Sequence, residues 1–198
     1  MKAIKYLSLV ILLIAMIAWG SLAIYFSYLP TPLRYAGAGF FAAASAGLLL
    51  LLRPRRKAVM AFVGLFAVVL IGWLSMQPSN DRNWQPNVAV LPYATVDGDA
   101  ITVRNIRNCD YRTETDYTIG YYDKTFDLAG LRSFDLFLSD WGLETIVHTL
   151  VSFGFDDDSY LCISIETRKE AGEAYSSFKG FFRQYELIYL VGDERDLI

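Results

Sequence analysis

The chain has 198 residues, 54% of them hydrophobic and 20% charged, with a formal net charge of −3 at pH 7. All twenty-one acidic residues lie beyond residue 76, against eleven of the eighteen lysines and arginines. A part this acidic lacks the basic face that nucleic-acid binding needs, so that class is excluded.

Residues 1–76 read as a membrane anchor. Three apolar runs, at about 6–29, 33–52 and 58–76, each have the length a helix needs to cross roughly 30 Å of hydrocarbon. Lipid offers no hydrogen bonds to a backbone, so such runs must be helical. Lys2 and Lys5 precede the first run, and Arg53, Arg55, Arg56 and Lys57 fill the second link. The first link is followed only by Arg34. This asymmetry predicts a cytoplasmic N-terminus and an exported C-terminal part. Removal of the first run as a signal peptide is disfavoured by its length and by the lack of a small-residue cleavage site. Headgroup binding by the Arg-rich link is an alternative to its being a topology signal. Gly39 and Gly47 are small enough to let the second helix pack tightly.

Residues 77–98 read as a linker punctuated by Pro78, Pro86 and Pro92, with Trp84 suited to a membrane–water interface. Residues 99–198 form the exported domain. Period-two alternation predicts strands over 100–109, 133–139, 145–155, 159–167 and 186–191, and 170–182 reads as a helix weakened by Gly172 and Gly180. The chain stops a few residues after its last strand without a terminal helix, which suggests a truncated domain. The expected class is α+β: three transmembrane helices, then a mainly antiparallel β domain incomplete at its C-terminus.

The candidate chemistry lies on a hairpin. Asp156, Asp157 and Asp158 favour a turn between two strands. Val147, Thr149, Val151 and Phe153 share one face, as do Leu161, Ile163 and Ile165, and a one-residue slip would expose one apolar set. Centring the turn on Asp157 pairs Val151 with Ile163, Leu150 with Ser164, and His148 with Glu166. A carboxylate opposite an imidazole fixes its tautomer and supports its protonated form. The alternative is a half-buried polar pair that only satisfies itself. Ser152 sits two pairs away and in no nucleophile elbow. Cys109 and Cys162 read as small buried side chains, although an exported domain permits a disulfide. Their spacing and the single histidine do not suit zinc, no cofactor is expected, and the aspartate run lacks the ligand spacing of a calcium loop. Arg104, Arg107 and Arg112 have the geometry to receive headgroup phosphates, or to form salt bridges, with Arg104 and Arg107 on opposite strand faces.

Four segments in order carry a resemblance: Asn105-Ile106-Arg107-Asn108-Cys109-Asp110-Tyr111 and on to Tyr117; His148-Thr149-Leu150-Val151-Ser152-Phe153; Ile163-Ser164-Ile165-Glu166-Thr167-Arg168; and Phe181-Phe182-Arg183-Gln184-Tyr185-Glu186, closing on Asp193-Glu194-Arg195-Asp196. Together, over about 84–198, they resemble the Lnb N-terminal periplasmic domain family, a permuted papain-like cysteine fold associated with lipoprotein N-acylation. The resemblance implies a bacterial inner-membrane protein with His148 as base and Glu166 as orienter, acting on membrane lipids or lipoproteins. It also implies a thiol in an Asn-Cys-Thr segment downstream of residue 198, a position that neither Cys109 nor Cys162 fits. Family members carry an aromatic residue where Cys109 stands. The expected activity is acyl transfer or hydrolysis, with a thiol peptidase of cell-wall peptides and a non-catalytic binding or scaffold module as alternatives.

Overall fold

The computed structural model describes residues 2–113, 116–140, 142 and 147–198. Residues 145–146 of the third expected strand, and Glu114 and Thr115 of the first motif, lie outside the described residues. The chain divides into two compact units, Met1–Ser79 with Tyr175–Gln184, and Asn80–Ala174 with Tyr185–Ile198.

The first unit holds α1 (Lys2–Tyr25), α2 (Thr31–Leu51) and α3 (Arg55–Leu74). All three are long and apolar enough to cross a membrane. Prolines set their starts. Pro30 and Pro54 occupy the N-caps of α2 and α3, and Pro32 lies in the first turn, where a missing N–H leaves no bond unmade. The tight helix approach differs from expectation. A Cβ on Gly39 or Gly47 would meet open space, whereas one on Gly20 would lie 2.6 Å from the Phe41 ring. The small residue that matters is therefore on α1, under a buried aromatic of α2.

The same unit includes α4 (Ser177–Phe181), a shortened version of the helix expected over 170–182. Gly172 takes φ +84, which breaks helical geometry, and the helix starts only where the Ser176 hydroxyl accepts the Lys179 N–H.

The second unit is built on a seven-stranded sheet. Its strands are β1 (Tyr93–Asp97), β2 (Ala100–Arg107), β5 (Tyr121–Asp127), β6 (Leu131–Asp140), β7 (Val147–Phe155), β8 (Tyr160–Arg168) and β9 (Glu186–Gly192). A separate ribbon pairs β3 (Asp110–Tyr111) with β4 (Tyr117–Thr118). The order is β1-β2-β9-β8-β7-β6, with β5 also on β2, and every described pairing is antiparallel except β2 with β9. A one-turn helix, α5 (Glu194–Leu197), follows β9, contrary to the expectation of none; Asp193 caps it by accepting the Arg195 N–H.

A bulge decides which way β2 faces. The register shifts between Val103 and Ile106, and Asn105 sits at φ 60, a left-handed conformation that asparagine tolerates better than most residues. Asp123 secures the bulge by accepting the Asn105 N–H and pairing with Arg104 at 2.8 Å. The extra residue returns Ile106 to the face of Ile101 and Val103, where it joins Phe126, Leu161 and Val191 in the core.

The segment expected as a linker is packed structure from Asn80 onward. Gln85 N–H bonds the Lys169 carbonyl and Ala171 N–H bonds the Asn83 carbonyl, each within 2.9 Å. Trp84 is buried in this unit, with the Arg82 and Arg168 guanidiniums 4.5 and 4.3 Å from its ring centre. Arg168, 1% exposed, donates to the carbonyls of Val88 and Ala89 and to the Asn80 side chain, and faces Glu186 at 3.7 Å. Burial pulls its pKa down against the supporting charge of Glu186. Arg168→Ala leaves the buried carbonyls of Val88 and Ala89 without their donor and Glu186 with one cationic neighbour fewer, a loss of about 3–5 kcal/mol. Hydrogen exchange at Gln85 and Ala171 should therefore quicken by about a hundredfold or more. Unchanged protection there would show that the strap is held by something else.

Candidate functional site

β7 and β8 pair Leu150 with Ser164, Val151 with Ile163 and Ser152 with Cys162, the register expected of a turn centred on Asp157, although Val147 and Ile165 of the apolar faces expected to be buried are 47% and 54% exposed. Phe153, Leu161 and Ile163 share one face of this hairpin, while His148, Ser164 and Glu166 share the other. His148 Nε2 lies 2.8 Å from Glu166 Oε1 and 2.8 Å from Ser164 Oγ, and Ser164 Oγ lies 2.8 Å from the same carboxylate oxygen. The carboxylate can only accept, and the serine hydroxyl donates to it. The network thus assigns a proton to Nε2, shared between the hydroxyl and carboxylate oxygens. Nδ1 is left as the basic nitrogen of the neutral ring.

The imidazole and carboxylate are 23% and 32% exposed, open enough to meet a solute. They lie in a cleft of about 310 Å³ also lined by Arg107, Tyr111, Lys169 and Asp196. Arg107 and Asp196 form a bidentate pair, Nε to Oδ2 at 2.9 Å and Nη2 to Oδ1 at 2.8 Å, with the aspartate side chain fully buried. Asp196 Oδ2 also accepts the Cys109 N–H at 2.7 Å. Burial opposes the Arg107 charge, but the bonds and charge of Asp196 outweigh it and hold its pKa above the ordinary value. Burial raises the Tyr111 phenol, against the nearby Arg107 charge.

The structure brings together the two residues singled out in sequence, His148 and Glu166, and adds Ser164, Arg107, Tyr111, Lys169 and Asp196, which were not assigned to the site. Ser164 was within reach of the same reasoning, since it lies two residues before Glu166 on the same face. Arg107 and Asp196 are 89 residues apart, and no local pattern links them. Arg104 and Arg112 stay outside the cleft, paired with Asp123 and Asp116.

Both cysteines are unpaired and buried. Cys162 lies on the His148 face, but four residues before Glu166 on β8, roughly 13 Å along the strand at about 3.3 Å per residue. Burial, and secondarily the Glu194 charge, push its thiol up to about 11. Ser152 is fully buried, and its hydroxyl finds no partner among the described residues. Among the described residues, no group of three or more His, Cys, Asp or Glu side chains is placed to hold a metal ion. The aspartate run is a tied-down turn: Asp157 accepts the Ser159 hydroxyl and N–H and pairs with Lys124 at 2.9 Å, which together draw its pKa to about 2.

Residues 117–198 match the Lnb N-terminal periplasmic domain family. The Lnb match takes in His148, Ser164, Glu166 and Asp196, and it starts after the first of the four motifs apart from Tyr117. With three candidate spans ahead of it, the chain is a membrane protein carrying a periplasmic-type domain. No curated protein and no solved structure matches it significantly.

The raised Cys162 thiol makes a direct prediction. In a Cys109→Ala variant at pH 8, the thiolate fraction of Cys162 is roughly a hundredfold below that of an ordinary cysteine. Maleimide labelling of the native protein should be slower by at least that factor and become fast on denaturation. Fast native labelling would show an activated thiol.

Proposed function

We propose that this chain is an inner-membrane protein whose exported domain supports acyl transfer or hydrolysis on lipoproteins or lipids, with His148 as general base and Glu166 as its orienter. The observation that carries the reading is the 2.8 Å contact between Glu166 Oε1 and His148 Nε2. A carboxylate on Nε2 keeps the proton there and makes Nδ1 the acceptor. In the reaction, Nδ1 takes the proton of a thiol and the thiolate attacks an acyl carbonyl. A thioester forms as the alcohol leaves with that proton, and an amine or water then receives the acyl group. Neither Cys109 nor Cys162 suits the thiol role. The helices and the positive residues Lys5, Arg53, Arg55, Arg56 and Lys57 support a cytoplasmic N-terminus.

The cleft itself is polar, so it suits the headgroup or peptide end of such a substrate. An apolar hollow of about 350 Å³, lined by residues such as Ile101, Phe153 and Ile163, lies on the opposite sheet face, where a bound chain would not meet His148. A second reading, a non-catalytic binding module, is favoured by the burial of both thiols.

The test is acyl release or transfer from a labelled diacylglyceryl lipopeptide, measured with the complete gene product in nanodiscs. His148→Ala should lower the rate by about 10²–10⁴-fold, the usual worth of a general base. Activity that ignores His148→Ala, or no activity at all in the complete protein, would support the binding module.

A further inference from the structure

The connection from β8 to β9 leaves the sheet unit after Ala174, joins the helical unit as Tyr175–Gln184, and returns at Tyr185. Within the helical unit it is bound almost entirely through aromatic rings. Phe182 is buried, 5.5 Å from Phe26 and 6.3 Å from Trp19 between ring centres, and Phe178 lies 5.8 Å from Phe26. Trp73 Nε1 reaches the Phe182 carbonyl at 3.4 Å. The Arg183 guanidinium lies 4.1 Å from the Trp73 ring centre and donates to the Trp73 carbonyl, while Tyr28 donates to the Arg183 carbonyl.

Depth decides what surrounds this segment. Trp19 is six residues before the end of α1, about 9 Å below it along the helix. Phe182 touches Trp19 and also Phe26 and Trp73 at the helix ends, so it lies at the outer end of the apolar stretch of the span. From this position Phe178 and Phe181 turn outward, 56% and 65% exposed, with Tyr175 at 53%. The segment has no acidic residue and carries Lys179 and Arg183, the composition of an element lying in a headgroup boundary. Trp73 and the tyrosines at the same helix ends, Tyr25, Tyr28 and Tyr35, form the aromatic belt expected at that boundary.

We propose that Tyr175–Gln184 is a lipid-inserted element: Phe178 and Phe181 enter the acyl region of the leaflet at the C-terminal ends of α1 and α3, and Lys179 meets its phosphates. The inference goes beyond the proposed chemistry and does not depend on His148. It means that the strands carrying Ser164, Glu166 and the chain toward Asp196 are joined through a segment held in lipid.

The test is nitroxide accessibility in phosphatidylethanolamine–phosphatidylglycerol nanodiscs. The full chain, with Cys109 and Cys162 replaced by alanine, takes single labels through Phe178→Cys, Phe181→Cys, Leu12→Cys within α1, and Asp99→Cys in an exposed turn. Relaxation by oxygen relative to the aqueous nickel–ethylenediaminediacetate complex should be several-fold higher at 178 and 181 than at 99, approaching the value at 12. A ratio at 181 equal to that at 99 would place it in water. Low accessibility to both reagents would place it against a protein partner. Either result overturns the proposal. All four sites are exposed, so labelling leaves the fold intact.

Discussion

Strand side chains alternate faces, so the register of the β7–β8 hairpin decides which residues stand beside His148, and that register builds the site. With Val151 opposite Ile163, the odd-numbered Phe155, Leu161 and Ile163 pack against the core cluster while Val147 and Ile165 stay 47% and 54% exposed, and the even-numbered face buries Leu150, Ser152, Cys162 and Ser164 around the site. His148, Ser164 and Glu166 have no freedom to lie elsewhere. The hydrophobic requirement is worth several kilocalories over a hairpin of this size, far more than a half-exposed imidazole–carboxylate contact supplies by itself. Chemistry at the cleft is therefore positioned by strand register and by packing on both faces of the sheet, Leu150, Cys162 and Ser164 being buried on the face of His148 itself.

Around this hairpin, two buried arginines convert distant chain segments into walls of the cleft. Arg168 leaves the end of β8 to hold the strap that carries Asn87 and Val88, and Arg107 leaves the end of β2 to hold α5 through Asp196. Each guanidinium is nearly surrounded by acceptors, which is the condition for a buried charge to persist. Their planar forks bond several groups at once, so lysine would not replace them. The cleft is thus rigid on the strand side and strapped by ionic contacts on the other.

The parts legible from sequence were those governed by periodicity. Three spans, the strands from β6 to β9, the Asp157-centred turn and the His148–Glu166 pairing all follow from alternation or run length. Features that depend on partners far along the chain were not legible. β1 and β5 escaped because Tyr93–Asp97 and Tyr121–Asp127 mix exposed aromatic and charged residues without clean alternation. The bulge at Asn105 hid Ile106 from a period-two count. Trp84 reads as an interfacial residue, and its place in the core shows only once Arg168 is seen against it. The segment Tyr175–Gln184 looks like an ordinary crossover, because nothing local reveals that its rings pack on α1 and α3.

His148 is the only histidine in the chain, which makes the central claim open to direct observation. Long-range proton–nitrogen NMR of the imidazole, recorded on the ¹⁵N-histidine-labelled protein in nanodiscs with the ring neutral, reports which nitrogen holds the proton. Glu166 and Ser164 should keep it on Nε2, with Nδ1 at the shift of an unprotonated nitrogen, and Glu166→Ala should let the tautomers mix. A ring protonated on Nδ1, or one indifferent to Glu166→Ala, would contradict the account.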